Sequence, residues 1–133
     1  MIRTRRFVGA GLAFLVAIAA GAIWLKQWEP APGFQTLVGR WLRPDGGYVL
    51  EIRSVDPTGE LVAAYLNPRP IHVARAEASR DGTTTKVFVE LRDVNYPGST
   101  YTLTYDRASD QLRGVYFHAG LGQRFNICFE RQK

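Results

Sequence analysis

The sequence predicts an all-β domain, an eight-stranded antiparallel up-and-down barrel, preceded by one amino-terminal transmembrane or signal helix. Three observations support this fold class. Apolar residues after Trp41 recur at every second position, which is the period of a half-buried strand. Tight polar turns alternate with looser turns rich in proline and glycine between these segments. A charge-free apolar run near the amino terminus is followed by a short proline-containing segment.

Composition allows one domain in this chain of 133 residues, and the composition shifts once, near Phe34. The formal net charge is +5, but residues 1–33 hold four basic residues against one acidic residue. The domain is therefore nearly balanced and its arginines are scattered, which argues against nucleic acid as a partner. Cys128 is the only cysteine. A single cysteine excludes an intrachain disulfide and a cysteine-rich metal site.

Residues 1–28 predict a signal anchor. Arg3, Arg5 and Arg6 precede the run from Phe7 to Leu25, which carries no charge and approaches the about 20 residues that span a bilayer. Because positive residues stay cytoplasmic, we expect a single-pass protein of a bacterial inner membrane with a periplasmic domain. The alternative is a cleaved signal peptide and a secreted or periplasmic protein, because Ala20-Gly21-Ala22 offers a cleavage site.

Residues 29–33 predict a short stiff linker, because their two prolines cannot continue a helix. The segment from Thr4 to Val8 is similar to a twin-arginine export signal. The sequence therefore leaves the route of export open. The domain of residues 34–133 follows the linker.

Eight strands are predicted in this domain from the alternation of inward apolar residues with outward polar ones. They contain Trp41, Tyr48 to Ile52, Leu61 to Tyr65, Ile71 to Arg75, Val87 to Leu91, Tyr101 to Tyr105, Leu112 to Tyr116 and Phe125 to Phe129. Pairing of the first strand with the last would remove two exposed edges. A barrel of this size holds one small ligand or is filled by its own side chains. A two-sheet sandwich is the alternative fold.

The turns predict that the two ends of the barrel differ. Short polar turns, built for tight reversal, lie at Asp56 to Gly59, Arg80 to Thr83 and Arg107 to Asp110. Looser turns lie at Pro44 to Gly47, Asn67 to Pro70, Asp93 to Ser99 and Ala119 to Gly122. Successive turns of a meander alternate between ends. We therefore expect one sealed end and one end with adaptable loops.

The segment Gly39-Arg40-Trp41 resembles the Gly-x-Trp start of calycin barrels, the superfamily of lipocalins, fatty-acid-binding proteins and avidins. In these barrels the tryptophan plugs the sealed end, and an arginine near the end of the last strand packs over it. Arg131 ends the last predicted strand in the inward phase of Phe125 and Phe129. The resemblance implies that Trp41 and Arg131 close the barrel. It does not imply biotin, because Trp41 is the only tryptophan of the domain.

A ligand site is predicted where the inward phase reaches the loop end. Its residues are Tyr48, Tyr65, Tyr101, Tyr116 and His118, with Arg75 as the floor. Tyrosine combines an apolar ring with a hydroxyl, and arginine offers a planar fork to an anion. This set favours a small amphipathic or anionic ligand. The alternative is that the tyrosines are ordinary strand residues and that Arg75 pairs with Glu77.

The predicted function is a membrane-tethered extracytoplasmic binding protein without catalytic residues, metal or cofactor. Cys128 has the outward phase and His118 the inward one, and His72 and His118 have opposite phases. One alternative is an envelope module with a solid barrel, whose loops at Asn67 to Pro70 and Tyr96 to Gly98 contact a partner protein. A second alternative is a small enzyme that transfers protons through tyrosine and His118.

Overall fold

The computed structural model describes residues 33–133, which form a nearly closed antiparallel β-barrel after one short 3-10 helix, Phe34–Leu37. The strands are β1 (Gly39–Arg43), β2 (Tyr48–Val55), β3 (Leu61–Asn67), β4 (Arg69–Ile71), β5 (Val73–Asp81), β6 (Thr84–Asp93), β7 (Tyr96–Asp106), β8 (Gln111–His118) and β9 (Gln123–Gln132). Their order in the sheet is β4-β3-β2-β1-β9-β8-β7-β6-β5. The predicted antiparallel barrel is confirmed, and the first strand pairs with the last.

The predicted number of eight strands is wrong, because the fourth predicted strand is two strands. β4 pairs with β3, whereas β5 pairs with β6. The break falls at His72, whose backbone N–H donates to the Asp93 carboxylate at 2.8 Å and whose carbonyl accepts from the Arg92 N–H at 3.1 Å. Pro70 also removes a backbone donor from β4. The chain therefore passes from one edge of the sheet to the other at this residue.

The barrel is least closed between β3 and β5. An isolated bridge joins Glu60 to Glu77, and the Ala78 N–H donates to the Gly59 carbonyl at 2.6 Å. A Cβ added at Gly59 would lie 2.1 Å from the carbonyl oxygen of Ala78, and Gly59 has a φ of +96°. Glycine is thus required at the point where the two edges meet.

A β-bulge in β5 decides which of its side chains enter the barrel. Val73 lies opposite Leu91 and Arg75 opposite Glu90, so Ala74 is one extra residue on this strand. An extra residue inverts the in–out phase of everything that follows it. The buried residues of β5 are consequently Ala76 and Ala78, and Arg75 and Glu77 face outward.

The core extends from the sealed end to the middle of the barrel. Its fully buried large side chains are Trp41, Tyr65, Tyr101, Phe129, Leu37, Leu50, Ile52, Leu91, Leu103, Leu112, Val87 and Val89. At the sealed end the Trp41 indole N–H donates to the Leu37 carbonyl at 2.9 Å. This bond attaches the 3-10 helix to β1.

Arg131 covers Trp41 at the sealed end. Its guanidinium lies 4.3 Å from the centre of the indole ring and donates to Asp110 at 2.7 Å. It also donates to the carbonyls of Val38 and Thr36. The expected contact between Trp41 and Arg131 is therefore present.

The signal anchor predicted for residues 1–28, and the linker apart from Gly33, lie outside the described residues. Within residues 33–133, none of the helices has the length and apolar character to cross a membrane.

Candidate functional site

A cavity of about 500 Å³ opens at the end of the barrel that carries the β1–β2, β3–β4, β6–β7 and β8–β9 loops. We call it the mouth pocket. Its lining includes Arg43, Tyr48, Tyr65, Tyr96, Tyr116 and His118. Its volume lies within the range of about 300–1,000 Å³ that is typical of small-molecule sites.

Strand register brings the aromatic side chains of this pocket together. Tyr101 of β7 lies opposite Tyr116 of β8, and the centres of the two rings are 4.6 Å apart. The rings of Tyr65 and Tyr101 are 5.6 Å apart, and those of Tyr48 and Tyr65 are stacked at 6.1 Å. The rings of Tyr96 and Tyr65 pack edge to face with their centres 6.4 Å apart. The strands thus supply a continuous aromatic wall.

The β1–β2 hairpin places Tyr48 over the pocket. Arg43 and Tyr48 are the last cross-strand pair before the turn. A Cβ added at Gly46 would lie 2.1 Å from Cε2 of Tyr48, so this ring packs directly on the glycine. Gly47 follows with a φ of +72°, which glycine adopts without strain. The Gly-Gly pair in the turn therefore makes room for the ring.

Arg43 is the cation of the mouth pocket, and its side chain is only 11% exposed. Its guanidinium carbon lies 5.0 Å from the centre of the Tyr48 ring and 5.4 Å from that of Tyr116. Nη1 donates to the Tyr101 hydroxyl at 3.0 Å. Nε and Nη2 donate to the two carboxylate oxygens of Asp45 at 2.7 and 3.0 Å. Two ring faces and a hydroxyl fix the position of this side chain, and the Asp45 carboxylate pairs with its outer edge.

The tyrosine hydroxyls at the pocket make two separate sets of hydrogen bonds, one of which includes Arg43. The hydroxyls of Tyr65 and Tyr101 are 2.7 Å apart, and the Asn67 amide donates to the Tyr96 hydroxyl. Burial raises the pKa of Tyr101 to about 12, against the opposing effect of its bonds to Tyr65 and Arg43. Burial also raises the pKa of Tyr65 and of Tyr116. At neutral pH these groups are uncharged donors and acceptors.

His118 lies at the edge of the pocket. Its ring meets that of Tyr116 edge to face at 6.0 Å, and its Nδ1 accepts from the Leu121 N–H at 3.2 Å. An acceptor Nδ1 puts the hydrogen of the neutral ring on Nε2. His118 can therefore offer one donor while its orientation is held by the β8–β9 loop.

Five of the six predicted site residues lie together at the mouth, and the exception is Arg75. Tyr48, Tyr65, Tyr116 and His118 line the mouth pocket, whereas Tyr101 is fully buried and supports Arg43.

The prediction that Arg75 forms the floor needs correction. The Arg75 side chain is 58% exposed, pairs with Glu77 at 3.0 Å and lies over the Phe88 ring at 4.6 Å, on the outside of the barrel. The bulge at Ala74 is the reason, because it inverts the phase on which the prediction depended.

The predicted site does not include Arg43, Tyr96 or Asn67, which also line the pocket. Arg43 stands two residues after Trp41, so the period of two already assigns both side chains to the same face. That signal was available for Arg43. Tyr96 and Asn67 stand at strand ends beside loops, where alternation gives little information about side-chain direction.

Within residues 33–133, no three side chains among His, Cys, Asp and Glu gather in a way that would hold a metal ion. No protein-family model, no curated protein and no solved structure matches the chain. Its function is therefore inferred from the chemistry of the mouth pocket.

Proposed function

We propose that this barrel is a non-catalytic binding protein, and that its mouth pocket takes a small amphipathic ligand with an anionic group. The carrying observation is Arg43, a guanidinium largely withdrawn from water at the base of an open aromatic pocket. A guanidinium has five N–H groups. Asp45 and Tyr101 accept from three of them, and the Asp45 side chain is 56% exposed, so an anion from solvent can reach the guanidinium.

The aromatic wall suits the apolar part of such a ligand. Tyr48 and Tyr96 are half-buried, so part of each ring faces the cavity, while the hydroxyls of Tyr65 and Tyr101 lie below. A ligand ring that covers these faces loses contact with water and gains the offset or edge contacts that aromatic pairs favour. The pocket thus combines one charged contact with a large apolar one.

The wider context of this function also remains a proposal. A membrane tether and a periplasmic location are supported by the charge pattern of residues 1–28. A relationship to the calycins is supported by the contact between Trp41 and Arg131.

A second candidate function is contact with another protein at the same end of the barrel. Val94 is 80% exposed, Leu121 63% and Phe125 40%, and all three belong to the loops or strand that surround the mouth. Exposed apolar side chains in one region are typical of an interaction surface. This candidate does not need an empty pocket.

The ligand proposal is tested by calorimetric titration of the chain with 2-naphthoate, a small aromatic carboxylate. Loss of a hydrogen bond to a charged group costs about 1.5–3 kcal/mol, so we expect Arg43→Ala to weaken binding about tenfold or more. Arg43→Lys keeps the charge but not the fork, and an intermediate loss is expected. Arg75→Ala is the matched control and should bind normally. Equal losses in the Arg43→Ala and Arg75→Ala proteins would contradict the proposal.

A further inference from the structure

Arg43 already holds a carboxylate, that of Asp45. The two groups meet side by side, with Nε to Oδ1 at 2.7 Å and Nη2 to Oδ2 at 3.0 Å. This is the bidentate geometry that a guanidinium makes with a planar anion of two oxygens. The rings of Tyr48 and Tyr116 flank the guanidinium, so an anion approaches along its edge. The site is therefore shaped for a planar group.

The two members of this pair differ in how firmly they are held. The Arg43 side chain is 11% exposed and is fixed by two rings and the Tyr101 hydroxyl. The Asp45 side chain is 56% exposed and belongs to the turn that contains Gly46 and Gly47. The carboxylate can thus turn into water while the guanidinium stays in place.

We infer that Asp45 competes with ligands of the mouth pocket for the Arg43 guanidinium, and that these ligands are aromatic carboxylates. This inference rests on the proposed function. The carboxylate of the ligand takes the place of Asp45 on Arg43, and the aromatic part covers the half-buried rings of Tyr48 and Tyr96. Because one ion pair replaces another, the anionic group supplies selectivity and the ring supplies most of the affinity.

Removal of the competitor should strengthen binding of carboxylates alone. An intramolecular ion pair with one exposed partner typically has a modest strength, so Asp45→Asn should bind a carboxylate about fivefold more tightly than the original chain. A neutral ligand of the same shape does not compete for the fork and should bind both proteins equally. The opposite result is expected if Asp45 positions Arg43, because its loss would then weaken binding.

The experiment titrates the full chain of 133 residues and its Asp45→Asn variant with 2-naphthoate and with 2-naphthamide, by calorimetry. Asp93→Asn is the matched control. It removes the same charge at the same end, but the Asp93 carboxylate bonds to the backbone of His72 and Val94. We expect the gain of about fivefold only for naphthoate and only in Asp45→Asn.

Three outcomes overturn the inference. If Asp45→Asn binds naphthoate as the original chain does, or more weakly, Asp45 is not a competitor and the proposed function stands. If the gain is equal for naphthoate and naphthamide, or equal in Asp93→Asn, the effect is not competition for the fork. If neither probe binds any of the three proteins, the inference and the proposed function both fail.

Discussion

Arg43 and Arg131 lie at opposite ends of the barrel and make the same kind of contact. Each guanidinium stacks over an aromatic ring and donates to an aspartate. They differ in their remaining partners. Arg131 donates to the backbone carbonyls of Val38 and Thr36, which ties down the 3-10 helix, whereas Arg43 donates to a hydroxyl below an open cavity. The same side-chain arrangement thus closes one end of the barrel and, at the other end, lies at the base of the open mouth pocket.

The sealed end should make stability depend on pH. The bond from Arg131, followed by that from the Tyr105 hydroxyl, holds the pKa of Asp110 below its usual value. A carboxyl whose pKa is lower in the folded state stabilises that state above its unfolded pKa of about 3.9. The contribution is lost as the pH falls through the folded value. We therefore expect Asp110→Asn to lower the free energy of unfolding at pH 7 and to show a smaller decline below about pH 4.

Urea denaturation between pH 2 and pH 7 measures this effect. Asp81→Asn is a suitable control, since the Asp81 side chain is 78% exposed and its pair with Lys86 is long, at 3.4 Å. The control should follow the original chain at every pH. Parallel curves for Asp110→Asn and the original chain would show that the Asp110 pair does not stabilise the fold.

At the scale of single elements, the bulge of β5 explains what alternation could and could not predict. A period of two correctly identified Val73 as inward and correctly predicted a strand there. It could not show that Ala74 is an extra residue, because the register is fixed by pairing with β6. A physical hint was present in the sequence. Arg75 and Glu77 carry charges, whereas Ala76 and Ala78 do not, and buried charges are costly.

Deletion of Ala74 should therefore be tolerated. Without the extra residue, Arg75 follows Val73 directly, and plain alternation keeps Arg75 and Glu77 outward and Ala76 and Ala78 inward. We expect this variant to unfold cooperatively on heating, as followed by circular dichroism. Deletion of Ala76 also removes one residue, but it turns Arg75 or Glu77 toward the core and should abolish cooperative unfolding. Loss of cooperative unfolding in the Ala74 deletion variant would contradict this account of the bulge.

The break between β4 and β5 is a second feature that local patterns could not predict. Ile71 and Val73 share a face, so they were assigned to one strand. The separation depends on long-range bonds, from His72 to Asp93 and from Arg92 to His72. Such contacts join residues about twenty positions apart, and their geometry is a property of the folded sheet.

For the molecule as a whole, the antiparallel barrel could be predicted because short turns between the strand patterns reverse the direction of the chain. Tight turns need side chains that bond to their own backbone, and Asp56 accepts from the N–H groups of Thr58 and Glu60 at 2.9 and 3.0 Å. Asp106 accepts in the same way from Ala108. The mouth pocket could be predicted only in part. Inward phase located the tyrosines and is also consistent with Arg43, but it equally assigned Arg75 to the interior, because the bulge at Ala74 cannot be read from the sequence.

The proposed ligand site of this protein is the mouth pocket, with Arg43 at its base. The most direct test is an NMR titration of the isotope-labelled full chain with 2-naphthoate, in which backbone amide shifts locate the bound probe. We predict saturable changes that are largest at Arg43, Tyr48 and Tyr116, with the amides of Arg75 and Phe88 unaffected. Changes centred on Arg75 and Phe88, or no saturable change at the mouth, would contradict the claim.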